Sequence, residues 1–148
     1  MLKLWAAALP EETRMDLSGI SCLTDAALTR LASLQSLKTI NLRGSSGFTA
    51  AGMRKLYSLT GLRCLEQGSA ATTDAGLEGV TDSGLKYLSN MKSLERLSLK
   101  NASITAAGMK WLTGLTSLQK VGTLSSEIKE FIRDTLPWAI ATSGHIDA

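Results

Sequence analysis

Apolar residues recur along this chain in a phrase with two parts. From Leu85 through Leu88, Met91 and Leu94 every third residue is apolar, which lines one face of a helix and the turn after it. Leu94, Leu97 and Leu99 then follow the spacing L-x-x-L-x-L, in which Leu97 and Leu99 alternate around Ser98. Alternation of that kind predicts a strand with two side chains inward and one outward. The same phrase reads Leu28, Leu31, Leu34, Leu37, Ile40, Leu42, and again Met53, Leu56, Leu59, Leu62, Leu65 with Gln67 in the last place. A weaker copy reads Met109, Leu112, Leu115, Leu118, Val121, Thr123. Upstream, Met15-Asp-Leu17 aligns with Ile40-Asn-Leu42 and predicts one more strand before the first full copy.

Each helical part opens with a threonine: Thr24-Asp-Ala-Ala-Leu28, Thr49-Ala-Ala-Gly-Met53, Thr81-Asp-Ser-Gly-Leu85 and Thr105-Ala-Ala-Gly-Met109. A threonine there can accept a hydrogen bond from an unsatisfied amide of the first turn. Asp25 and Asp82 put negative charge at the positive end of two of the helices. A fixed period in this range marks a solenoid, because one unit cannot bury its apolar face except by stacking on the next.

The spacing has one irregularity. Thr24 to Thr49 is 25 residues and Thr81 to Thr105 is 24, but Thr49 to Thr81 is 32. A decoy start, Thr73-Asp-Ala-Gly-Leu77, lies inside the long interval. Thr73 follows Thr72, whereas Thr24, Thr49, Thr81 and Thr105 follow the apolar Leu23, Phe48, Val80 and Ile104. Thr81 is therefore read as the start, and residues 68–79, rich in Gly, Ser, Ala and Thr, as an enlarged loop. The rival reading is a helix extended by two turns.

The phrase Thr81-Asp-Ser-Gly-Leu85, preceded by an Ile or Val, resembles the ITDxGL form of leucine-rich repeat proteins, found in the cysteine-containing subtype and in related bacterial repeats. The resemblance covers residues 12–124. It implies a single α/β domain of four to five repeats: a right-handed solenoid, or horseshoe segment, with a parallel β-sheet on the concave side and helices on the convex side. The subtype has a cysteine after the strand, where this chain has Ser45 and Ala102. Residues 1–11 are read as an N-terminal cap and 125–142 as a C-terminal cap. In the latter, Ile128, Phe131, Ile132 and Leu136 form a helical stripe stopped by Pro137, and Trp138-Ala-Ile140 is expected to add a last strand. Trp5 and Trp138 are expected to pack within the caps, and residues 143–148 to form a tail.

Composition narrows the functional classes. Aromatics are only 5% of the 148 residues, so the core must be aliphatic. A net charge of +3 is too mild to imply nucleic acid. Two separate cysteines, Cys22 and Cys64, make no disulfide framework and fit a reducing compartment. The apolar run near the N-terminus is short and meets Glu11-Glu12, which argues against a signal peptide, and no stretch approaches the ~20 residues of a membrane span. The expectation is a cytoplasmic protein. The sole histidine, His145, is in the tail, no His/Cys cluster has metal-ligand spacing, and Gly44-Ser-Ser-Gly47 suits a turn rather than a phosphate loop. No enzyme activity, cofactor or metal is expected.

What remains is the strand face, which in leucine-rich repeat proteins commonly binds the partner. Positions beside the buried leucines carry seven basic residues (Arg14, Lys38, Arg43, Arg63, Arg96, Lys100, Lys120) against three acidic ones (Asp16, Glu66, Glu95). Those basic residues, with Asn41, Glu66 and Ser98, are the candidate partner-binding set. Cys64 is expected on the same face as an inert surface cysteine; the alternative is a reactive thiol, with Arg63 beside it to favour the thiolate. Cys22 is expected in a turn near the core, and Trp111 partly exposed on the helix side. The face suits an acidic segment of a partner protein; the competing reading is a solvated sheet whose charges deter aggregation. Nucleic acid is disfavoured because no aromatics interleave with the basic positions. Five strands at about 4.8 Å, with a strip about 23 Å wide, give roughly 450 Å², below the ~800 Å² per partner of a stable complex, so the 68–79 loop is expected to extend the binding surface, the alternative being an oligomeric assembly. Other roles for the same fold are a secreted or injected effector acting on a host protein, and a scaffold that self-associates through its repeat ends.

Overall fold

The computed structural model describes residues 13–67, 82–99, 104–123 and 126–142. Residues 1–12, the segment 68–81 with both Thr73 and Thr81, Lys100 and the tail 143–148 lie outside the described residues.

The fold is α/β, with six parallel strands hydrogen-bonded in chain order: β1 (Thr13–Asp16), β2 (Leu37–Asn41), β3 (Cys64–Gln67), β4 (Arg96–Leu99), β5 (Lys120–Gly122) and β6 (Ile140–Thr142). Among the described residues five helices accompany them: α1 (Asp25–Leu31), α2 (Ala50–Leu56), α3 (Asp82–Leu88), α4 (Ala106–Met109) and α5 (Ser126–Thr135). The α4 helix tightens into a 3-10 turn over Lys110–Gly114. The register aligns Met15 with Ile40, Ile40 with Leu65, Leu65 with Leu97, Leu97 with Val121 and Val121 with Ala141. The alignment of Met15-Asp-Leu17 on Ile40-Asn-Leu42 is thus the one the strands adopt. The expected last strand is present as the sixth of the sheet, but it begins at Ile140 rather than Trp138.

One apolar core joins sheet to helices. The helix residues Leu28, Leu31, Met53, Leu56, Leu85, Leu88, Met109 and Leu112 are buried, as are the strand residues Ile40, Leu65, Leu97 and Val121. Each leucine so buried contributes about 1.5–3 kcal/mol relative to exposure. In α5, Ile128 and Ile132 are buried, followed by Leu136, with Phe131 packed at the margin.

The helix ends use repeated devices. Thr24, Thr49 and Thr105 are N-caps, their hydroxyls accepting from Ala27 N at 3.3 Å, Ala51 N at 3.2 Å and Ala107 N at 3.2 Å. At the other end Ser33, Ser58, Ser89 and Thr113 each donate a hydroxyl hydrogen bond of 2.7 Å to the carbonyl three residues back. At Arg30 and Lys55 the carbonyl also accepts from the backbone amide of the same serine, so the hydroxyl adds a second bond to the closing turn.

Asp25 and Asp82 do more than favour their own helices. The Asp25 carboxylate accepts from Thr49 N at 2.7 Å and Thr49 Oγ1 at 2.6 Å, and so caps the following helix. Asp82 repeats this on Thr105, at 2.9 and 2.6 Å. The threonine hydroxyl gives its proton to the neighbouring aspartate and accepts from its own helix, so each contact joins two repeats. The arrangement explains Gly52 and Gly108. A Cβ at Gly52 would overlap the Asp25 carboxylate, and one at Gly108 the Asp82 carboxylate and also its backbone.

Candidate interaction surface

The sheet face away from the helices is built from three columns of side chains. Strand alternation and register define two of them: Arg14, Thr39, Cys64, Arg96, Lys120 and Ile140, and then Asp16, Asn41, Glu66, Ser98, Gly122 and Thr142. The third arises from the two residues between the first leucines of L-x-x-L-x-L. The register skips Lys38 between Leu37 and Thr39, and in later strands one carbonyl serves two amides: Arg63 O accepts from Glu95 N and Arg96 N, and Glu95 O from Gln119 N and Lys120 N. This repeated bulge sets Lys38, Arg63, Glu95 and Gln119 along one rim.

Several predicted site residues are spent within the protein. Lys38 donates from Nζ to the Gly61 carbonyl at 3.3 Å, because its place in the bulge points it along the sheet toward the next repeat. The Asn41 side chain is 9% exposed; its Oδ1 accepts from Arg43 N at 3.1 Å, and it hydrogen-bonds the Asp16 carboxylate. Ser98 is 3% exposed, so it lies on the outward face and yet is covered. Cys64 is a correction of the same kind. It occupies the outward column, but it is 2% exposed, and burial pushes its thiol up in pKa despite the neighbouring Arg96. A small side chain between strands only about 4.8 Å away is roofed by its longer neighbours. Cys22 lies in a turn, as expected, and is exposed. Trp138, expected to pack, is 50% exposed, while Trp111 is half-buried with the Lys110 ammonium 5.3 Å from its ring centroid.

The charges on this face are ordered. Glu66 pairs with Arg43 at 3.7 Å and Glu95 with Arg63 at 3.8 Å, each acid meeting an arginine from the preceding repeat. Asp16 accepts from Ser18 Oγ at 2.7 Å and Ser18 N at 3.0 Å. The Ser18 bonds come first in holding its carboxyl below the usual aspartate range, with a smaller contribution from the Arg14 charge. Arg96 and Lys120 stand directly opposite one another across β4 and β5.

A second feature lies at the C-terminal end. An open groove of about 650 Å³ between α5 and β6 is lined by Lys129, Glu130, Arg133, Pro137, Ala139 and Ile140, among others. Ile140 is 63% exposed beside it. Among the described residues no three His, Cys, Asp or Glu side chains converge as metal ligands, and no helix is long and apolar enough to cross a membrane. No protein-family model matches the sequence, and no curated protein matches it either.

Proposed function

We propose that this chain is a leucine-rich-repeat solenoid segment that acts without catalysis, binding an acidic segment of a partner protein across the outward face of its sheet. Six parallel strands in chain order, with a helix in each described crossover, support the solenoid reading. The observation that carries the functional reading is the charge of the outward face: six described basic side chains (Arg14, Lys38, Arg43, Arg63, Arg96, Lys120) against Asp16, Glu66 and Glu95, on a sheet whose other face packs on the core. An acidic segment would gain on-rate and orientation from that field, and its binding would weaken with salt. The test uses the wild-type protein and an R14E/R96E/K120E variant as baits in native lysate. An acidic protein held by the wild type at low salt, released at high salt and missed by the variant is the expected result. Equal retention by both baits would end the reading.

Self-association is a second reading, favoured by the exposed Ile140 and Trp138 at β6, the last strand of the sheet. It predicts a sedimentation coefficient that rises with concentration; one unchanged value over a hundredfold range would exclude it.

A further inference from the structure

The helix side of the molecule carries an order of charge of its own. Counted from the first residue of each helix, the fifth and sixth places are Thr29 and Arg30 in α1, Arg54 and Lys55 in α2, and Lys86 and Tyr87 in α3. In α4 with its 3-10 turn they are Lys110 and Trp111. Equal places on stacked repeats fall side by side, as the Arg54 guanidinium over the Tyr87 ring shows for α2 and α3. Arg30, Arg54, Lys55, Lys86 and Lys110 therefore run in one row across four successive helices, and all five are exposed. Among the described residues none of them enters an ion pair. The acids of these helices, Asp25 and Asp82, stand at the opposite ends, where they accept hydrogen bonds from Thr49 and Thr105. A cation in a last turn suits the helix dipole. That preference explains the sign of each charge, but it does not call for four helices with no acid in their second halves. In α5 three acids stand among two bases, which ends the row and keeps the net charge at a mild +3.

The surroundings of the row select its partner. Helices pack about 8–10 Å apart, so the row is about 25–30 Å long, the length of about eight base pairs of a duplex. Tyr87 and Trp111 are half-buried, and their rings carry the Arg54 and Lys110 cations at 4.9 and 5.3 Å from the centroids. The rings thus hold two of the charges at the surface rather than offering a platform for bases. The exposed large apolar residues, Ile20, Trp138 and Ile140, all lie off these helices, so the row brings no side chain suited to enter a bilayer. We propose that this row binds the phosphate backbone of double-stranded nucleic acid, without reading its sequence. The surface is distinct from the outward face of the sheet, and the proposal stands or falls apart from the acidic-segment reading.

The test is fluorescence anisotropy of the full chain with a fluorescein-labelled DNA duplex of about 20 base pairs, over a salt series. Each phosphate contact contributes about −0.9 to the slope of log affinity against log salt, so the wild type should show a slope of about −4. A duplex of unrelated sequence should bind equally well. R30Q/K55Q/K86Q should weaken binding at least about tenfold at low salt and flatten the slope to about −1 to −2. Its melting temperature should stay within about 2 °C of the wild type, since the three side chains are exposed. K55Q alone should flatten the slope by about one, which decides the case should the triple variant be destabilised. R14Q/R96Q/K120Q removes the same charge from the sheet face and should keep the wild-type slope. Equal losses in the two triple variants would reduce the effect to net charge and overturn the row as a site. Wild-type protein that ignores the duplex at low salt would also overturn it, whether or not it binds phosphatidylserine vesicles, and would leave the acidic-segment reading untouched.

Discussion

The joints between successive helices are made in two different ways. Between α1 and α2, and again between α3 and α4, an aspartate of one repeat caps the threonine of the next through two short hydrogen bonds. Between α2 and α3 the equivalent aspartate is absent, since Ala50 stands in its place. There Tyr57, just after α2, stacks on Tyr87 of α3 with ring centroids 6.5 Å apart and planes 13° from parallel. The Arg54 guanidinium lies over the Tyr87 ring at 4.9 Å. The polar joint is directional and demands a glycine opposite. The aromatic joint depends on contact area, and it occurs in the interval lengthened by residues 68–79. The comparison indicates that a repeat interface can trade a fixed hydrogen-bond geometry for a more adaptable packing where the spacing is irregular.

The largest effect should come from filling the space that the polar joint needs. Gly108→Ala drives a Cβ into the Asp82 carboxylate and backbone, and should cost about 2–3 kcal/mol in urea unfolding. Gly52→Ala meets only side-chain atoms of Asp25 and Leu28, which can turn aside, so it should cost less. Equal losses would show that backbone approach does not distinguish the two joints.

Removing the acceptor comes next. Asp25→Ala should cost about 1–2 kcal/mol, given two lost hydrogen bonds to an anion at a partly exposed site. The same joint predicts a pH effect. Hydrogen bonds from the Thr49 side chain and backbone hold the Asp25 carboxyl below its usual value of 3.8, so the folded state binds fewer protons than the unfolded one in that range. Its contribution is complete above that value and is lost as pH falls through the lowered folded one. Asp25→Asn should therefore reduce the slope of stability with pH below about pH 4, measured by urea midpoints in an acid series. An unchanged slope would place the acid sensitivity elsewhere, with Asp16 the next carboxylate to examine.

The aromatic joint should give the smallest effects. Tyr87→Leu keeps much of the apolar contact and should cost about 1 kcal/mol, and Arg54→Ala about 0.5 kcal/mol. Losses at this joint matching those at Asp25 would mean that the stack is as stringent as the hydrogen-bonded clasp.

Much of the fold was legible because its signals are local. The three-residue spacing of Leu85, Leu88 and Met91 and the alternation of Leu97 and Leu99 depend only on helix and strand geometry, and these residues are buried as that geometry requires. The threonine caps at Thr24, Thr49 and Thr105 are equally local. The site was harder to read. Its columns follow from strand alternation, so Arg14, Arg43, Arg63, Glu66, Arg96 and Lys120 share the outward face as expected. Alternation says which side a residue takes but not what lies over it, and Cys64, Asn41 and Ser98 are covered by neighbours from adjacent strands. The Asp25–Thr49 clasp left a trace in the sequence, Asp in the second place of the first and third copies and Gly in the fourth place of the second, third and fourth. That trace has meaning only once the two repeats are side by side.

The sequence by itself determined where helices begin, which face of each element is apolar, and which side chains of each strand leave the core. These follow from dihedral geometry within a few residues. Only the tertiary structure decided that Lys38 turns to the Gly61 carbonyl, that Cys64 is buried with a raised pKa, that Asp25 caps a helix it does not belong to, and that Arg96 and Lys120 face each other. Each of these depends on the register between strands and on the side chain that a neighbouring repeat supplies. Residues more than twenty positions apart in the chain meet there, at a separation that no local pattern encodes.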